Sequence, residues 1–236
     1  MGYIKWLGHA SFEVCLDEKI LIFDPWFTGN PMASCKVEDL EKVDYVFVTH
    51  DHGDHFGDAV NVCIRTNATL VGIYEISVKA QQHGVKNTIG MNIGGPAILN
   101  DLKVVMTPAF HSSSSGCPAG FIVIGKEATV YHAGDTGLFS DIALYAELYP
   151  IDYAMIPIGG HYTMDPQQAA KFVSLFKPKR VIPMHYNTFP IFPFSTFTSM
   201  FKIPSNGLST SKTKVWFPRG FRVSIFSMKA VSLARS

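Results

Sequence analysis

The stretch Thr49-His50-Asp51-His52-Gly53-Asp54-His55 constrains this chain more than any other. It follows directly on an apolar run, Tyr45-Val46-Phe47-Val48, so a strand stops where three histidines and two carboxylates begin. Imidazole and carboxylate together suit zinc, manganese or iron. A strand ending at a glycine-containing turn can aim several short side chains at one point, and the order H-x-H-x-D-H exceeds what a solvated loop needs.

Further donors stand in equivalent places. His111 follows the strand-like Leu102-Lys103-Val104-Val105-Met106-Thr107 and precedes four serines, Ser112 to Ser115, which either bind substrate oxygens or close the turn. Asp135 lies in Tyr131-His132-Ala133-Gly134-Asp135-Thr136-Gly137, an apolar segment running into a glycine turn, and His185 comes just past Val181-Ile182-Pro183-Met184. Loops at one edge of a rigid sheet are the usual home of catalytic ligands, because the scaffold fixes them while substrate can still reach them.

The succession H-x-H-x-D-H, a lone His, G-D-T and a final His resembles the metallo-β-lactamase superfamily over most of the chain. Leu21-Ile22-Phe23-Asp24-Pro25 is similar to that superfamily's first motif, an Asp that supports the ligand cluster from behind. Leu7-Gly8-His9-Ala10-Ser11-Phe12 and Ile158-Gly159-Gly160-His161-Tyr162-Thr163-Met164-Asp165 resemble a narrower group. That group holds small uncharacterised metal-dependent hydrolases related to the ascorbate-phosphate lactonases, and more distantly the phospholipase D acting on N-acyl-phosphatidylethanolamine.

The resemblance implies an α/β protein, a four-layered αββα metallo-β-lactamase-like sandwich with metals at one edge. It implies one divalent ion on His50, His52 and His111, a second on Asp54, His55 and His185, and Asp135 bridging the two. Zinc is the first expectation, with manganese, nickel and iron as alternatives. Two ions about 3.5–4 Å apart share a hydroxide whose parent water is acidified from about 16 to about 7. Asp54 then orients the attack and takes up the proton. His9 and His161, in glycine-flanked turns, are the other catalytic candidates, binding an anionic group or protonating the leaving group, with structural support as the rival role. The expected function is a binuclear metal-dependent hydrolase of an ester, lactone or phosphodiester of a small molecule. An iron-dependent oxidoreductase on the same ligands and an RNA-processing-type nuclease are the alternatives.

Composition narrows this further. With 236 residues, 47% hydrophobic and 17% charged, the chain can bury one sizeable core, and a single domain over 1–236 is expected, with a frayed tail at 228–236. A net charge of +1 supplies no long-range field for nucleic acid, so a small-molecule substrate is the expected partner, and homo-oligomerisation is left open. No cationic start leads into an apolar core and no run is long enough for a bilayer, so a cytoplasmic protein without membrane contact is expected. Cys15, Cys35, Cys63 and Cys117 show no paired spacing and read as reduced thiols. His83 reads as a helix C-terminal cap and His132 as a hydrogen-bonded core imidazole. Past His185 come five phenylalanines, Phe189, Phe192, Phe194, Phe197 and Phe201, which read as packing or as an aromatic wall beside the cleft.

Alternating and apolar runs predict strands over 3–7, 12–16, 19–23, 45–48, 69–71, 103–107, 120–124, 129–131, 153–156, 180–183, 214–217 and 221–226. Asp17-Glu18 reads as a hairpin turn. Helices are expected over 58–66, 75–83, 139–147 and 165–176, the last opening on Asp165-Pro166 as N-cap and first helical position.

Overall fold

The computed structural model describes residues 2–189, 214–216 and 222–224. The chain opens with a meander, β1 (Tyr3–Gly8), β2 (Ser11–Leu16) and β3 (Lys19–Phe23). Asp17 and Glu18 link the last two with φ of 48° and 64°, the left-handed pair that a two-residue hairpin requires. β4 (Tyr45–Phe47) leads into a one-turn helix made of the histidine motif itself, α1 (Gly53–Phe56), then α2 (Ala59–Thr66), β5 (Thr69–Ile73), α3 (Tyr74–Gln82) and β6 (Thr88–Met91). Next come β7 (Pro96–Leu99), β8 (Leu102–Pro108), β9 (Ala119–Ile124) and β10 (Thr129–His132). The remainder is α4 (Ile142–Leu148), β11 (Tyr153–Pro157), α5 (Pro166–Phe176), β12 (Arg180–Met184), β13 (Lys214–Trp216) and β14 (Arg222–Ser224).

These strands form two mixed sheets, one ordered β13-β14-β1-β2-β3-β4-β5-β6 and the other β12-β11-β10-β9-β8-β7. The sheets face each other through one apolar core. Phe47 on β4 meets Phe121 on β9 with ring centroids 5.2 Å apart, and Phe23 on β3 stacks on His132 of β10 at 5.2 Å. Because side chains alternate along a strand, Tyr131 points away from His132 and packs against Phe176 of α5 at 5.8 Å. Helices α2 and α3 cover the outer face of the first sheet and α4 and α5 pack together on the second, giving the αββα layering.

Two strands and two helix boundaries differ from expectation. β6 escapes a sequence reading because Gly90 interrupts it. A Cβ there would lie 2.7 Å from Ser77 Oγ, so glycine is what lets α3 press onto the strand. β7 begins at a proline on the sheet edge and alternates weakly. Asp58, the first residue of the expected helix, is the N-cap of α2, its carbonyl accepting Val62 N (2.9 Å), while its carboxylate accepts from Phe27 N (2.7 Å), Thr28 N (2.9 Å) and Thr28 Oγ1 (2.8 Å), bracing the loop after β3. α4 starts at Ile142 rather than Phe139. Asp165 caps α5 as expected, accepting from Gln168 N at 2.7 Å. Most of the phenylalanine-rich segment and the 228–236 tail lie outside the described residues, as do Phe217 and the outer residues of 221–226.

Candidate metal centre

Every donor singled out in the sequence, His161 apart, converges on one edge of the sandwich, and each follows the carboxyl end of a strand. His9 follows β1, Asp24 β3, the histidine motif β4, His111 β8, Asp135 β10 and His185 β12. Three of these residues hold left-handed backbone, His9 (φ 56°), Asp24 (44°) and His185 (55°), a conformation costing roughly 1–2 kcal/mol for a residue with a Cβ. Such strain persists only where the surroundings over-determine it. Here the His9 carbonyl accepts both Trp6 Nε1 (2.9 Å) and His185 N (3.2 Å), which ties the ends of β1 and β12 together.

His50 Nε2 and His52 Nδ1 are 3.0 Å apart, and His111 Nε2 lies 3.2 Å from the same His52 nitrogen. Thr49 Oγ1 donates to Asp24 Oδ2 at 2.7 Å, so it can only accept from His50 Nδ1 at 3.0 Å. That leaves a lone pair on His50 Nε2, aimed at the other two rings. Burial keeps His50 neutral, its pKa pushed down to about 3, and lowers His111 as well. Three imidazole nitrogens this close repel unless a cation or proton lies among them.

A second group comprises His9, Asp54, His55 and His185, and a third, His50 with His55 and Asp135, overlaps both. Asp24 is completely buried and accepts from His55 Nδ1 (2.7 Å), Thr49 Oγ1 and Thr49 N (2.8 Å), so it orients His55 directly and His50 through Thr49. His55 Nε2 and Asp135 Oδ1, both buried, face each other at 3.3 Å without hydrogen-bond partners among the described residues. Orphaned buried donor and acceptor atoms pointing at one spot, amid four imidazoles and two carboxylates, fit divalent ions. Burial opposes charge on the carboxylates, yet His185 and His55 hold Asp135 well below the ordinary carboxylate range. In return Asp135 and Asp24 raise His55 well above its usual value, and Asp135 and Asp54 lift His185 to about 9. Divalent cations would displace those protons. Gly134 permits the approach: at φ 61°, a Cβ would sit 2.8 Å from Thr49 Cβ.

His9 is fully buried. It lies 3.1 Å from Asp54 Oδ2 through Nε2 and 2.7 Å from Thr188 Oγ1 through Nδ1, and burial lowers its pKa to about 4. His161 stands apart from the cluster. It is exposed, its ring 4.3 Å from Tyr162, and its loop is fastened to the Asp135 loop by Met164 N to Thr136 O (3.1 Å). His132 sits in the core, Nε2 on Ala10 O (2.8 Å) and Nδ1 accepting Gly134 N (3.1 Å), while His83 Nδ1 caps α3 on Lys79 O (2.8 Å). Among the described residues no helix is long and apolar enough to cross a membrane.

Sequence reading gave no role to Thr49, Thr188 or Asp51. Asp51 stands inside the motif yet turns away from the donors, and the serines after His111 close on it.

Comparison with known proteins agrees with this geometry. Residues 19–186 match the family described as Beta-lactamase superfamily domain. A UPF0173 metal-dependent hydrolase of Caldivirga maquilingensis is 57% identical over 192 residues, covering 80% of this chain and 84% of that protein. Its namesake in Hyperthermus butylicus is 52% identical over 198 residues, covering 81% and 86%. A solved metallo hydrolase from the archaeon Ignicoccus hospitalis superposes with a TM-score of 0.76 at 45% identity, over 80% of this chain and 84% of that one. With the strand-end histidines and carboxylates in the places such a fold needs them, this chain belongs to the UPF0173 metal-dependent hydrolase family within the beta-lactamase superfamily.

Proposed function

We propose that the chain is a binuclear metal-dependent hydrolase acting on an ester, lactone or phosphodiester of a small molecule. One observation carries the reading: the donor groups overlap, with Asp135 drawn to His50 on one side and His55 on the other. His50, His52 and His111 would hold one ion, Asp54, His55 and His185 the other, and Asp135 would serve both. When bound, the ions supply an acidified water as nucleophile and Lewis acidity toward the substrate's carbonyl or phosphoryl oxygen.

The protein's own groups then divide the remaining work. Asp24 and Thr49 fix which nitrogen His55 and His50 present. Asp54 is the open member of the carboxylate pair, its side chain 25% exposed against 3% for Asp135, so it is the one that meets substrate and water. His9, His55 and His185 all approach its Oδ2, which would leave Oδ1 to take a proton from the attacking water. His9, buried and engaged at both nitrogens, holds that carboxylate in place. Small-molecule selectivity falls to the rim, where Phe110, Leu138 and Tyr162 are exposed on loops carrying or adjoining the donors.

Elemental analysis of the purified chain beside Asp135→Ala tests the proposal. About two zinc, manganese or nickel ions per chain, falling by at least one in the variant, would support it and direct screening to lactones and phosphodiesters. Predominant iron would replace the hydrolase with an oxidoreductase, and no metal after reconstitution would overturn the reading.

A further inference from the structure

His111 stands on the connection between β8 and β9, ten residues without helix or strand, so its position depends on how that loop is fastened. Upstream, Phe110 N donates to Thr136 Oγ1 (3.0 Å) and Gly137 N to Phe110 O (3.0 Å), next to Asp135. Downstream, three donors from consecutive serines close on one carboxylate, Asp51, which lies between His50 and His52. Ser113 Oγ (2.9 Å) and Ser114 N (2.7 Å) reach Oδ1, and Ser115 Oγ reaches Oδ2 (2.7 Å). Lys79 Nζ, on α3, completes Oδ2 at 2.8 Å while lying 5.0 Å over the Phe56 ring. A carboxylate offers about four lone-pair sites. All four are filled, so Asp51, its side chain 1% exposed, has none left for a metal.

We propose that Asp51 is a positioning residue for the three-histidine ion site: it latches the Ser113–Ser115 loop to the histidine motif and so sets the spacing of His111 from His52. The inference rests on the binuclear reading above. Thr136 adjoins Asp135, and Asp51 adjoins His52, so the loop cannot shift at these fastenings without changing the donor geometry. Ser112 Oγ, 3.5 Å from His52 Nε2, lies on the same short path. Ser113 and Ser115 thereby spend their hydroxyls on closing the turn. Lys79 supplies a compensating charge for the covered carboxylate, and its partner is an anion because four donors, one of them an ammonium, have to be met at once.

The test is zinc titration against a chromogenic chelator, with elemental counting, on the unsubstituted chain, Asp51→Ala, and Asp51→Asn combined with Lys79→Met. Asp51→Ala should weaken one of two ions about 10–100-fold, the size expected when a ligand's supporting partner is lost, and leave the other within about threefold. The double variant retains an Oδ1 acceptor for Ser113 and Ser114 without an unpaired ammonium, and should regain most of the affinity. A merely structural latch would lower thermal stability in Asp51→Ala while both zinc affinities stayed unchanged, and that result would overturn the proposal while leaving the binuclear reading intact. An unsubstituted chain that binds no zinc would overturn both. Should Asp51→Ala fail to fold, Ser113→Ala with Ser115→Ala removes two of the four donors, and selective weakening of one ion, by a smaller factor, is again required.

Discussion

Replacing Asp24 by Asn isolates the electrostatic support of the metal centre from its backbone. Asn tolerates the left-handed φ of 44° that this position holds, so the turn after β3 survives the change. The carboxylate accepts three hydrogen bonds, Thr49 N on Oδ1 and Thr49 Oγ1 and His55 Nδ1 on Oδ2, at 2.7–2.8 Å. Asn has one oxygen. With that oxygen toward Thr49 N, its amide faces two donors; flipped, it abandons Thr49 N. Either way at least one charge-assisted bond is lost, worth roughly 1.5–3 kcal/mol. His55 relieves the conflict by moving its proton to Nε2, the atom a metal would need, and Thr49 no longer fixes His50. Affinity for both ions should fall about 10–100-fold, or about 1.4–2.8 kcal/mol each. Chelator competition reads the affinities, and thermal unfolding of the chelated protein reads stability separately. A folded variant binding both ions within twofold of the unsubstituted chain would refute the reasoning.

Two other outcomes follow. With metal removed, Asp135 and Asp54 raise His185 above its unfolded value of about 6.5 to about 9, so its contribution is fully present below pH 6.5 and is lost as pH rises through 9. Urea unfolding of chelated protein should show that decline, and zinc-loaded protein should not; equal pH profiles would contradict the coupling. Gly134→Ala forces φ 61° on a residue with a Cβ only 2.8 Å from Thr49 Cβ, and should cost about 2 kcal/mol or more and lower metal content. An unchanged melting temperature and two bound ions would show that the turn relaxes freely.

The donor residues are legible in the sequence because they cluster. His50, His52, Asp54 and His55 fall within six positions, and the apolar strands β4, β10 and β12 announce where the chain turns at Asp135 and His185. Period-two and apolar runs likewise find most strands. What stays hidden is pairing across distance. Nothing local links Asp51 to Ser113, 62 positions on, or His9 to Thr188, 179 positions on, and both pairs shape the site. Asp58 does open α2, but its carboxylate is claimed by Phe27 and Thr28, residues that only the fold brings near. His161 is marked by its glycine flanks, but that it lies exposed and outside the donor groups is set by the fold and not by those glycines.

β1 lies in the interior of its sheet, paired on one side with β2 and on the other with β14, register Tyr3 to Arg222. A ribosome delivers β1 long before β14. Until residue 222 emerges, β1 is an open edge of the nascent protein, and until residue 185 emerges, His9 and Asp54 have no imidazole from β12 to meet. At roughly 5–20 residues per second, that interval is on the order of ten seconds or more. The sandwich and its donor cluster are therefore completed only after residue 222 has left the ribosome, and the ion that fills the cluster is drawn from whatever surrounds the sandwich at that stage.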